Sequence, residues 1–266
     1  METDNFLLKD KIDNGILRLT LNNLKHQNTL SEAMMESLKK ELLDVASNES
    51  TRVVILAANG PIFCAGHDLK EITEARNNED SGHAYFEKLF NTCSELMQLI
   101  VNNPKPIIAE VNGIATAAGC QLVASCDLAI ASDEAKFATP GVNIGLFCST
   151  PMVALSRNIS NKHAMEMLLT GEMIDAKKAK EIGLINNNVS SKNLMQETLI
   201  LAKKVASKSS MTLKVGKQAF YAQSSLDLHQ AYKYTSKVML DNILKDDAKE
   251  GIDAFINKRD PEWRDK

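Results

Sequence analysis

The chain has 266 residues, of which 44% are hydrophobic and 24% charged, with a formal net charge of −3. That length buries a sizeable core, and the balance is that of an ordinary globular protein. Slight acidity argues against a nucleic-acid surface. So does an aromatic content of 5% with one tryptophan, Trp263, since base stacking needs aromatic platforms. Five cysteines (Cys64, Cys93, Cys120, Cys126, Cys148) show no C-x-x-C spacing, so buried reduced thiols are expected. Five histidines are scattered singly and offer no zinc pattern, so no metal is expected. No apolar run reaches transmembrane length, and no membrane partner is expected. Residues 1–15 carry two acids in the first four positions and lack a secretory or Arg-rich transit pattern. The expectation is a cytoplasmic protein, although an already processed mitochondrial chain would read the same way.

In chain order, residues 6–9 and 16–21 read as two strands around Asp13-Asn14-Gly15, a hairpin signal. Ser31 is placed to cap a helix over 32–46, where Met34, Leu38, Leu42 and Val45 recur at helical spacing. Residues 52–57 (RVVILA) form a continuous apolar strand of the kind buried on both faces. A short strand, 62–64, follows and runs into Ala65-Gly66. Asp68 is placed to cap the next helix. Residues 72–85 are polar and read as a mobile loop or loose helix start. The long helix after them carries Phe86, Leu89, Phe90, Cys93, Leu96, Met97 and Ile100 on one face. Further on, 127–131 reads as a buried strand and 137–145 as a loop. Helices are expected over 160–170 and 175–182, with Gly183 just past a helix end. From about 190 the pattern is helical, with stripes at Leu194, Leu199, Ala202 and Val205, then at Leu213, Val215, Ala219 and Phe220.

The chemistry concentrates in residues 104–145. An apolar strand, 104–111, ends at the Asn112-Gly113 turn. Small residues follow (Ala115, Thr116, Ala117, Ala118, Gly119, Cys120) and lead into Leu122-Val123-Ala124. That is strand, tight turn and buried helix. Small side chains let a ligand approach the backbone. The free N–H groups of a first helical turn, with the helix dipole behind them, then suit an oxygen that becomes negative during reaction. Tight packing alone is the competing explanation. The balance shifts with Phe63-Cys64-Ala65-Gly66-His67-Asp68-Leu69, a second strand end with a glycine turn, because donors from two turns can converge on one oxygen.

The segments FCAGHDLKE, KPIIAEVNGIATAAGCQLVASCDLAIAS and FATPGVNIGL together resemble the crotonase (enoyl-CoA hydratase/isomerase) family, from about Gly15 to the C-terminus. The resemblance implies an α/β fold: a spiral of ββα units over 1–200, then a C-terminal helical trimerisation region over 201–266. It also implies an acyl-CoA thioester substrate, with coenzyme A as part of the substrate and no separate cofactor. The backbone N–H groups of His67 and Ala118 would be the oxyanion donors. Ala65, Asp68 and Leu69 would flank the thioester, and Lys25 and His26 would lie beside the nucleotide end of CoA. On charge alone Lys25 reads equally well as a solvated loop residue. Phe255 and Lys258 would sit at a subunit boundary, within reach of a neighbour's CoA, in a trimer or dimer of trimers.

Hydratases of this family use two glutamates, and at the matching positions this chain has Gln121 and Gly141. An amide cannot shuttle a proton near neutral pH, and losing a general base costs about 10²–10⁴-fold in rate. Weak hydratase activity, other acyl-CoA chemistry, or a non-catalytic binding role are therefore all expected alternatives. The polar side chains to test are His67, Asn143, Cys148 and Ser149. The His67 imidazole reads either as a general base or as a residue that fixes its turn. Cys148 reads either as a nucleophile or as a small buried thiol.

Overall fold

Residues 6–266 are described in a computed structural model; the acidic start, residues 1–5, lies outside them. The expected hairpin is present: β1 (Leu7–Ile12) pairs antiparallel with β2 (Ile16–Leu21). Asn14 and Gly15 take positive φ between them, which is what a tight hairpin turn requires. β1 runs three residues further than the sequence pattern suggests.

Two sheets are built from successive ββα units. The long strands β3 (Val53–Ala58), β5 (Ile107–Val111) and β7 (Leu128–Ser132) run parallel beside β2, and β10 (Asn187–Val189) joins at the far edge. The sheet order is β1-β2-β3-β5-β7-β10. Each long strand is followed by a short one: β4 (Ile62–Cys64), β6 (Ile114–Thr116) and β8 (Lys136–Ala138). With β9 (Ile174–Asp175) these form a second sheet in the order β4-β6-β8-β9. Sequence reading missed β6, β8, β9 and β10, because strands of two or three residues are too short to alternate.

The run RVVILA is buried on both faces, as its lack of alternation implies. Val54 and Leu56 join the main core with Leu17, Leu19 and Leu21. Val53, Ile55 and Ala57 pack with Ile16 and Ile108 under Ala202 and Ala206 of α8 (Leu194–Ala206). On the core side, α1 (Glu32–Ser47) buries Met34, Met35, Leu38, Leu42 and Val45. The Ser31 hydroxyl caps it, accepting from the Met34 N–H at 3.3 Å. α2 (Leu69–Ala75) is short, and α3 starts earlier than the apolar stripe, spanning His83–Asn102. The expected loop therefore shrinks to residues 76–82, and His83 is exposed at the helix start. α5 (Ser149–Asn158) stands beyond the expected loop, where the sequence reading placed no element. Its Pro151 stands in the first turn, where a missing N–H removes no helical bond.

The third unit and its successors complete the core through α6 (Asn161–Thr170) and α7 (Ala176–Glu181), with Gly183 at φ 86° just beyond. Residue 200, where core and C-terminal region were divided, lies inside α8. α9 (Ser210–Gln223) is held by Lys217, whose Nζ donates to Asp127 at 2.7 Å and to the carbonyls of Ile100 and Lys105. Phe220, expected in a buried stripe, is exposed. α10 (Leu228–Ile243) buries no residue and α11 (Asp246–Ile256) buries only Asp247 and Ala254. Tyr232, Met239, Leu240, Ile243, Ile252 and Ile256 stand exposed there. Among the described residues no helix is long and apolar enough to cross a membrane.

Candidate active site

The two glycine turns touch. A Cβ at Gly66 would lie 3.0 Å from the Ala117 Cβ, 3.2 Å from the Thr116 carbonyl and 3.4 Å from the Ala118 nitrogen. Gly66 has φ 93°, a conformation open to glycine at little cost. On the other side Ala117 holds φ 50° and ψ −119°, strained for a residue with a Cβ. That geometry turns the chain from β6 into α4 (Ala118–Ser125), all eight of whose residues are buried. Ala117 has no side-chain oxygen to cap the helix. Thr116 instead donates its hydroxyl to the Ala65 carbonyl at 3.1 Å, tying the turns together.

Neither the His67 nor the Ala118 backbone N–H has an acceptor among the described residues. A buried helix start without a cap is a site waiting for an acceptor. Gly119 makes the close approach possible, since a Cβ there would sit 2.1 Å from the Cys64 carbonyl oxygen. The sequence-predicted pair of donors is thus brought together, with Ala65 and Asp68 on the same turn. Leu69, the first residue of α2, is exposed.

Gln121 lies one turn into α4 and is 4% exposed. Its Oε1 accepts weakly from the Cys93 thiol of α3 at 3.9 Å. Gly141, the second residue of the 3-10 turn Pro140–Ile144, is boxed in. A Cβ on it would meet the Leu146 carbonyl at 2.6 Å and the Cys148 Sγ at 2.9 Å. A side chain at Gly141 therefore has no room unless the Leu146–Cys148 segment shifts. Burial pushes the thiols of Cys64, Cys93 and Cys120 up to about 12 and raises Cys148 too. These are protonated thiols, which weakens the nucleophile reading of Cys148. Ser149 donates to the Phe147 carbonyl at 3.3 Å, and Asn143 is exposed.

His67 donates from Nδ1 to the Leu30 carbonyl at 3.3 Å, which makes Nε2 the unprotonated nitrogen of the neutral ring. Nε2 is buried and has no partner among the described residues. Burial, only partly offset by Leu30, lowers the pKa below its ordinary 6.5. The sign for stability follows. Below 6.5 the unfolded histidine binds a proton that the folded one refuses, so stability falls as pH drops through that range. His67→Gln is expected to flatten this segment of the stability–pH curve, measured by urea unfolding between pH 7.5 and 5.

A cavity of about 590 Å³ adjoins the turn. Lys25, His26, Asp68 and Lys70 line it, with Glu71 and Glu74. The loop carrying Lys25 is pinned to the Gly66 turn by two backbone bonds, Ala65 N–H to Gln27 and Leu30 N–H to Gly66. Buried Asn28 adds bonds to the carbonyls of Asn59 and Ile62. Burial would raise Asp68, but donation from the Lys70 N–H and from His26 holds it below the usual carboxylate range. His26 Nδ1 lies 2.9 Å from its Oδ2. Glu71 is engaged by the Tyr85 hydroxyl at 3.1 Å. Lys25 and Lys70 have no ion-pair partner among the described residues and are free to meet an anion. Lys70 was not singled out from sequence; its signal was its place in the first turn of the helix that Asp68 caps. Phe255 and Lys258, at the end of α11 and just beyond, do not line this cavity.

The profile of the family described as enoyl-CoA hydratase/isomerase matches residues 11–266. Enoyl-CoA hydratase domain-containing protein 3, mitochondrial, from Mus musculus is 50% identical over 262 residues, 98% of this chain and 86% of the relative. The crystal structure of the human protein of that name superposes with a TM-score of 0.92 at 49% identity, covering 97% of this chain and 100% of that one. An enoyl-CoA hydratase from Mycobacterium smegmatis also superposes at 0.92, with 47% identity and coverage of 97% and 98%. With its ββα units in the order expected, the chain belongs to the enoyl-CoA hydratase/isomerase family.

Proposed function

We propose that this chain binds a fatty acyl-CoA thioester and polarises its carbonyl between the His67 and Ala118 backbone N–H groups. One observation carries the reading: two acceptor-free N–H groups on touching turns, one of them at an uncapped, buried helix start. Donors fixed in this way suit an oxygen that gains charge in the transition state. Lys25 and Lys70 supply positive charge for the nucleotide end of CoA, and His26 lines the cavity beside them. Lys25→Ala and Lys70→Ala are each expected to weaken acyl-CoA binding roughly tenfold at low salt, the effect shrinking as salt rises. Calorimetry at two ionic strengths checks this.

The chemistry at the bound thioester is not efficient hydration. Gln121 cannot carry a proton, and Gly141 has no room for the side chain that would. Crotonyl-CoA at high enzyme concentration, followed by loss of the enoyl-thioester absorbance, is expected to show slow turnover or none while binding is intact. Rapid turnover would overturn this reading. The closed Gly141 position also favours the alternative of a non-catalytic acyl-CoA-binding or regulatory protein, which would bind and show no acyl chemistry of any kind.

The apolar faces of α9–α11 support self-association as a trimer or dimer of trimers. Phe255, 86% exposed beside Ile252 and Ile256, is an expensive surface to leave in water. Light scattering at micromolar concentration is expected to give three or six copies, and a monomer would contradict it. The word mitochondrial in the names of the relatives at about 50% identity supports a mitochondrial location over the cytoplasmic one.

A further inference from the structure

His67 has a second chemical feature besides its backbone donor. Its ring is fixed at one end by the Leu30 carbonyl and carries at the other a buried nitrogen lone pair with no partner. Buried polar atoms are nearly always satisfied, so an orphan beside an acceptor-free donor pair needs an explanation. The carboxylates of the neighbouring elements are ion-paired: Asp68 with His26, Asp127 with Lys217, and Glu110 through Oε1 with Arg18, its buried Oε2 alone having no partner among the described residues. Gln121 is an amide, and the cysteines are held protonated.

We infer that the His67 imidazole, through Nε2, moves a proton at the α carbon of the bound acyl thioester. This rests on the acyl-CoA reading above and adds to it the group that replaces the missing carboxylates. The Nε2 lone pair takes the α proton, and the C–H electron pair becomes a double bond to the carbonyl carbon. The carbonyl π pair moves onto oxygen, where the His67 and Ala118 N–H groups hold the enolate. Returning the proton to the α carbon gives exchange; returning it to the γ carbon of an unsaturated chain gives a shifted double bond. No oxidant or second substrate is needed. Burial keeps the base neutral at pH 7, and the imidazolium formed is paired with the enolate it creates. Phe90 meets the imidazole edge-on, with ring centroids 6.0 Å apart, and is itself exposed on α3. An acyl chain that reaches Nε2 has to displace this ring.

The test is α-deuteration of butanoyl-CoA in D₂O, read by mass spectrometry, with binding measured on the same samples. His67→Ala and His67→Gln leave the backbone N–H in place. Both are expected to lose exchange by about 100-fold or more, read per bound complex at saturating butanoyl-CoA. Free imidazole should partly restore His67→Ala, a rescue that a merely structural role would not show. Binding by wild type without exchange, or full exchange in either variant, would overturn this inference alone. Failure of wild type to bind would overturn the acyl-CoA reading and this inference with it.

Discussion

Replacing Gly119 with alanine is expected to abolish acyl-CoA binding and to cost about 3 kcal/mol of stability. The cause is backbone, not side chain. The added Cβ would stand 2.1 Å from the Cys64 carbonyl oxygen and 2.8 Å from its carbonyl carbon. Neither β4 nor α4 can yield easily. β4 is paired to β6, and the main core holds Phe63, Cys64 and Cys120. Relief comes only by moving α4 away from the Gly66 turn, which separates the His67 and Ala118 donors. Thermal unfolding is expected to shift by on the order of 10 °C. Calorimetry should show no acyl-CoA binding even at temperatures where the variant is folded. Unaltered affinity would mean that the approach of the two turns does not matter for the ligand.

Gly141→Glu, the substitution that restores the family's second carboxylate, is expected to fail as a gain of function. Its Cβ runs into the Leu146 carbonyl at 2.6 Å and the Cys148 Sγ at 2.9 Å. A loss of about 2 kcal/mol or more is expected from overpacking alone. Crotonyl-CoA hydration should not rise, whether or not Gln121→Glu is added. Cys148→Ala removes one of the two collisions, so the triple variant should recover part of the stability, and a double-mutant cycle would read the coupling. Hydration rising in Gly141→Glu alone would show that the Leu146–Cys148 segment moves aside freely. The loss of carboxylate chemistry would then be a matter of residue identity only.

The turns that make the site were legible because glycine and small residues have few other reasons to cluster at a strand end. Gly66, Ala118 and Gly119 stand where the sequence put them. The long strands and the capped helix α1 were legible for a similar reason: uninterrupted apolar runs and three- and four-residue spacing each have one simple structural solution. Of the second sheet only β4 was legible, because three residues such as Ile114–Thr116 carry no period. α5 was hidden by Pro151, which reads as a breaker unless its place in the first turn is known. Phe220 was misplaced because a helical stripe does not say whether the same chain or another copy covers it. The closure of Gly141 by Cys148 joins residues seven apart through a loop, and no spacing rule reports that. The orphaned Nε2 of His67 depends on where the Leu30 carbonyl falls, 37 positions away in the chain. Lys70 was overlooked because a lysine in a helical first turn is unremarkable until the cavity beside it is seen.

The most direct test is the infrared carbonyl stretch of an acyl-CoA labelled with ¹³C at the thioester carbon, compared free and bound. Two backbone N–H groups converging on the oxygen should lower the frequency clearly below its value in water, and equally in His67→Gln, which keeps the backbone donor. A bound carbonyl at the same frequency as the free one would mean that His67 and Ala118 do not hold it, and the site assigned here would be wrong.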